Sequence, residues 1–218
     1  MSGERAFIEI DTEAQLAAII RKLDSLPDKI AAPNILKNAI NATARKVRKQ
    51  ITKDAAGVYA IKDKAILKQK DQGAPQVYTA SASDLTATIR SRGPMQDIMA
   101  FMTRPNTTTG AAAAQVLQDG SMKPLEANGL KAFVTTFASG HTAIVQRHPP
   151  AEYSTGRGAR SQKYGERADM TKIKKLLSPA VPHMLGNEEV MAQAEQLTFS
   201  VLEAEVQKRI DKTLAERA

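Results

Sequence analysis

The sequence predicts an α+β fold: an antiparallel β-sheet packed against N-terminal helices and a long C-terminal helix, with extended loops. Three observations predict it. Apolar residues recur at helical spacing near both ends of the chain, at Leu36, Ile40, Ala44, Val47 and Ile51 and again from Val190 to Leu214. The middle is rich in β-branched residues that alternate in polarity, as in Val77–Ala80 and Leu85–Arg90. Turn pairs punctuate that middle block, with Asp119-Gly120 and Ser139-Gly140 placed between extended segments.

Phe7-Ile8-Glu9-Ile10 alternates and reads as a short strand or extended arm. Asp11 or Thr12 then caps a helix whose face is Leu16, Ile19, Ile20 and Leu23, closed by Pro27. A second helix is expected from near Pro33, because proline is tolerated in a first turn. Its outer side carries Lys37, Arg45, Lys46, Arg48, Lys49 and Lys53. That side reads either as a solvated face beside a core stripe or as a surface that docks on an acidic partner. Tyr59–Lys62 reads as an extended link, and Asp63–Lys70 as a turn or two of helix.

Val77–Ala80 and Leu85–Arg90 are expected strands, ended by a turn at Ser91-Arg92-Gly93-Pro94. Ile98–Met102 is an apolar stretch, and Asn106–Gly110 a Thr-rich loop that continues without pattern to Ala114. A hairpin is expected around Asp119-Gly120, and a second, the clearest, spans Leu130–Arg147. In its returning strand Ala143 and Val145 share one side, and Thr142, Ile144 and Gln146 the other. His148–Asp169 has no apolar period and is expected to be a mobile basic loop. Asn187 is placed to cap the last helix, with Glu188 and Glu189 facing the positive end of its dipole. The whole reads as one domain over 1–218. Its parts are an arm and helices (1–56), a sheet region (77–147), the basic loop (148–169) and the C-terminal helix (187–216).

Composition narrows the chemistry. The chain lacks Cys, which excludes disulfides, thiolate metal sites and a Cys nucleophile. Aromatics make up 4% and Trp is absent, so stacking platforms for single-stranded nucleic acid are not expected. No apolar run approaches the roughly 20 residues that span a bilayer, and Met1–Asp11 lacks an apolar leader core. No membrane partner is expected, and the chain is expected to stay in the cytoplasm where it is made. The net charge is +8, which permits contact with nucleic acid or with acidic protein surfaces.

No pair among His141, His148 and His183 has helical metal-ligand spacing, so neither metal nor cofactor is expected. Ser139-Gly140-His141 lacks a nucleophile elbow, and Gly156-Arg157-Gly158 lacks the strand and helix that a phosphate loop needs. A non-enzymatic protein is therefore expected. Candidate contact residues are Arg45, Arg48 and Lys49 on the second helix, with Arg157, Arg160, Lys163 and Arg167 in the basic loop. The loop cations suit DNA phosphates or an acidic protein patch, or belong to a plain exposed linker.

Ala132-Phe133-Val134, Gly140–Arg147 and Ile173–Pro182, the last reading IKKLLSPAVP, resemble minor tail protein Z of long-tailed phages. The helix carrying Ala39-Ile40-Asn41 and Ala44–Val47 is similar to that family's opening helix. The resemblance is motif-like over Phe133–Pro182 and follows the order of elements over most of the chain; Asn106–Ala114 has no counterpart. It implies a virion protein, assembled in the host cytoplasm, that completes the head-proximal end of the tail as a ring subunit. The implied partners are copies of itself, tail-terminator, tail-tube or head-completion proteins, with non-specific DNA contact in the lumen as a further option. It transfers no catalytic residue. Deletion of Tyr153–Gly165 is expected to leave a folded chain that cannot complete tails. The alternative is a basic nucleic-acid-binding protein; a hydrolase with an unrecognised site ranks last.

Overall fold

A computed structural model describes residues 4–9, 32–105, 111–127, 129–147 and 173–215 of the chain. It is an α+β structure with several small antiparallel sheets. The described residues group into two compact units, a division that the single-domain reading does not make. The expected helix between Asp11 and Pro27, the Asn106–Gly110 loop and the His148–Asp169 loop lie outside the described residues.

The first unit contains strand β1 (Glu4–Glu9), helix α1 (Ala32–Val58), a 3₁₀ turn (Lys64–Lys68), strands β2 (Gln76–Tyr78) and β3 (Thr88–Gly93), and helices α2 (Val181–Leu185) and α3 (Glu188–Ala215). The strands form one antiparallel sheet in the order β1-β3-β2, and α2 packs on β1 and β3. Helix α1 buries the expected stripe of Leu36, Ile40, Ala44, Val47 and Ile51 and leaves Arg45, Lys46, Arg48, Lys49 and Lys53 exposed. Its apolar face packs along α3, where Leu202, Val206 and Ile210 join Ile35, Leu36, Ala39 and Ile40 in one cluster. Buried Asn41 holds the segment after β2 to this helix: its Nδ2 donates to the Ala80 carbonyl at 3.0 Å, and its Oδ1 accepts from the Ala80 N–H at 2.7 Å. Helix α3 begins as expected, with the Asn187 Oδ1 accepting from the Glu189 N–H at 3.0 Å.

Two expectations need correction here. Ser91–Pro94 is not a turn; strand β3 runs through Gly93, and Ser91 is buried with its hydroxyl donating to the Gly73 carbonyl at 2.5 Å. Gly93 serves close approach instead, since a Cβ there would collide with the Gln72 carbonyl. On α3 the buried row also includes Thr198 and Glu205, while Leu197 and Val201 are only half-buried. Thr198 returns its hydroxyl to the Ala194 carbonyl at 2.7 Å, which makes a polar residue tolerable on the core side.

The second unit contains β4 (Gln96–Asp97), a 3₁₀ turn (Ile98–Ala100), β5 (Met102–Arg104), β6 (Ala113–Gln115), β7 (Lys123–Pro124), β8 (Glu126–Ala127), β9 (Leu130–Lys131), β10 (Phe133–Thr136), β11 (Thr142–Arg147), β12 (Ile173–Lys175) and β13 (Leu177–Ser178), with the buried link Tyr59–Ile61. The Asp119-Gly120 hairpin is present as β6 pairing β7, with a wider loop than the pair alone would close. Stretch Ala111–Ala114, expected to be patternless, supplies the first two residues of β6. The Leu130–Arg147 hairpin is present in register Phe133↔Val145 to Thr136↔Thr142, turned at Gly140 with φ 81°. Both sides of β11 are covered: Ala143, Ile144, Val145 and Gln146 are all buried. Gln146 meets the requirement for a partner by donating to the Leu130 carbonyl at 2.7 Å. The core of this unit gathers Ile98, Ala112, Ala114, Ala132, Val134 and Ile144.

Candidate functional sites

Three of the candidate contact residues come together. Arg45, Arg48 and Lys49 line an open groove of about 1180 Å³ in the first unit, with Lys46 and Lys53 from the same helix and Lys64 and Lys68 from the 3₁₀ turn. The α1 cations fall on its outer side because the 3.6-residue period sends Ala44, Val47 and Ile51 into the core. Lys64 and Lys68 flank buried Leu67, which anchors their turn. The lining also includes Ala56 of α1, Gln76, Val77 and Thr79 at β2, and half-buried Leu197 and Val201 of α3. Among the described residues no carboxylate lines the groove. The other four candidates, Arg157, Arg160, Lys163 and Arg167, lie outside the described residues.

One groove cation is committed to the core. The Lys46 Nζ donates to the Glu205 Oε1 at 2.6 Å, and Arg209 engages the other oxygen of the same carboxylate. Those hydrogen bonds, from Lys46 and then from Arg209, hold the buried Glu205 carboxyl down at about 2 against the opposing effect of burial. Among the described residues Arg45, Arg48, Lys49, Lys53, Lys64 and Lys68 have no carboxylate at ion-pair distance.

In the second unit one cluster of charged groups was not visible in the sequence. The Asp97 Oδ2 meets the Lys175 Nζ at 2.7 Å and lies 3.6 Å from the His141 Nε2, and Lys175 lies 3.2 Å from that nitrogen. No acid stands near His141 in the sequence; Asp97 arrives from a distant strand. The other carboxylate oxygen of Asp97 accepts from the Met99 N–H at 3.0 Å and caps a 3₁₀ turn. The Lys62 amine donates to the Thr103 hydroxyl at 2.8 Å, and desolvation lowers its pKa while Asp97 opposes the shift. His141 also stacks on Phe137, with centroids 6.3 Å apart. Each group here has a structural duty: Asp97 caps a turn, and with Lys175 and His141 it ties β4, β12 and the hairpin end together. Among the described residues no hydroxyl hydrogen-bonds to the His141 imidazole. Among the described residues no group of three or more His, Cys, Asp or Glu is placed to hold a metal ion. No helix among them is long and apolar enough to cross a membrane.

No family model, no curated protein and no solved structure matches this chain.

Proposed function

We propose that this chain is a non-enzymatic structural protein of a tailed-phage virion, a ring subunit that completes the head-proximal end of the tail and helps join tail to head. The observation that carries the reading is the resemblance over Phe133–Pro182 to minor tail protein Z. The geometry of that stretch is compatible with it. Its two halves, Gly140–Arg147 and Ile173–Pro182, meet as neighbouring strands, with Val145↔Lys175, Gln146↔Lys174 and Arg147↔Ile173 in register.

Surface character supports an assembly role. Tyr78, Met95 and Phe199 in the first unit, and Met102, Leu117, Phe137, Ile173 and Leu177 in the second, are large apolar side chains left exposed. Among the described strands, β2 and β12 are outermost in their sheets, the position at which a neighbouring subunit can add a strand. In the tail reading the partners are copies of this chain and tail-terminator, tail-tube or head-completion proteins, with the virion neck as location. The experiment is removal of the chain from the phage that encodes it. Filled heads and separate, unjoined tails are the expected result; normal infectious particles would exclude the role.

A second reading, nucleic-acid binding, is favoured by the seven cations of the groove. Affinity of the purified chain for duplex DNA that falls steeply with salt is its signature.

A further inference from the structure

We infer that the basic groove of the first unit is a docking site for an acidic amphipathic helix of a partner protein. The inference stands on the chemistry of the groove and does not depend on the virion assignment. Arg45, Lys49 and Lys53 recur every four residues along α1 and all face the groove. The rise of roughly 1.5 Å per residue places them about 6 Å apart along the helix axis. A partner helix with carboxylates at i, i+4 and i+8 has the same spacing and presents one acid to each cation. Lys64 and Lys68 add cations to the lining from another element.

The aliphatic lining decides between occupants. Val77, Leu197 and Val201 add apolar carbon to the cationic lining. A phosphate backbone has little apolar to set against that surface, and among the described residues no aromatic ring lines the groove to stack a base. A helix with Leu or Ile on the face beside its carboxylates can meet both the aliphatic and the cationic lining, the helix-in-groove mode of recognition. The charge balance agrees: six cations here have no ion-pair partner among the described residues.

The test is fluorescence anisotropy on the purified full chain with three labelled probes. One is a synthetic helical peptide with Glu at i, i+4 and i+8 and Leu segregated on the adjoining face. The second has the same composition scrambled so that the faces are mixed. The third is duplex DNA of matched charge. The segregated peptide is expected to bind at least about 10-fold tighter than either of the others, with Lys49→Glu plus Lys53→Glu weakening it by at least about 10-fold. Both lysines are exposed, so circular dichroism of the double variant should match wild type. Val201→Ser should weaken the segregated peptide while leaving DNA binding unchanged. Equal binding of the scrambled peptide, tighter binding of DNA, or indifference to the charge reversal would each overturn the assignment.

Discussion

Glu205 shows how one side chain sets both stability and its pH dependence. Its carboxyl is buried on the core side of α3, yet it stays ionised because Lys46 and Arg209 both hydrogen-bond to it. Its value of about 2 lies below the ordinary 4.5, so the native state binds this proton less readily than the unfolded chain. The stabilisation is fully present above pH 4.5 and is lost as pH falls through about 2. Glu205→Gln is expected to cost about 2 kcal/mol at neutral pH in urea unfolding. The gap between wild type and variant should close as the pH is lowered across that window. Gly93 carries a different constraint: Gly93→Ala forces a methyl into the Gln72 carbonyl, so a loss of about 2–3 kcal/mol is expected in the same assay. Neither role was legible locally. Glu205 reads as one more surface acid of a charged helix, and Gly93 beside Pro94 reads as a turn. Both are decided by residues far away in the chain, Lys46 for one and Gln72 for the other. Asp97, Lys175 and His141 were hidden for the same reason.

Elements were far more legible than residues, because their period is written in consecutive positions. Helix α1 follows its apolar row, and α3 starts where Asn187 caps it. The Leu130–Arg147 hairpin turns at Gly140, whose positive φ suits only a residue without a Cβ. What period cannot convey is whether a second face is covered, and in β11 it is: Ile144 and Gln146 are as buried as Ala143 and Val145. Stretch Ala111–Ala114 is alanine throughout, so it carries no polarity pattern, yet it supplies the first two residues of strand β6. The two sides of α1 should respond differently to substitution. Ile51→Ala, at 0% exposure, is expected to cost about 3 kcal/mol, and Lys53→Ala to change stability by no more than about 0.5 kcal/mol. Guanidinium unfolding of the two variants checks this, and comparable losses would mean that α1 is packed on both sides.

At the scale of the molecule the fold class was legible and the organisation was not. Helices at both ends with strands between imply an α+β protein, which is what the chain forms. The division into two compact units was not legible, because Gln96–Ser178 is inserted between segments that fold together in the other unit. The basic groove was half legible: periodicity put Arg45, Arg48 and Lys49 on one outer side of α1, but Lys64, Lys68 and the aliphatic lining are brought by other elements. The proposed virion role rests on the resemblance over Phe133–Pro182 and on the exposed apolar side chains. If the proposal holds, cryo-electron microscopy of intact particles from a phage that encodes this chain tests it most directly. The account predicts a ring at the head-proximal end of the tail into which the α1–α3 helix pair and the β10–β11 hairpin fit in repeated copies. A neck built entirely of other chains, with this one absent from the particle, would contradict it.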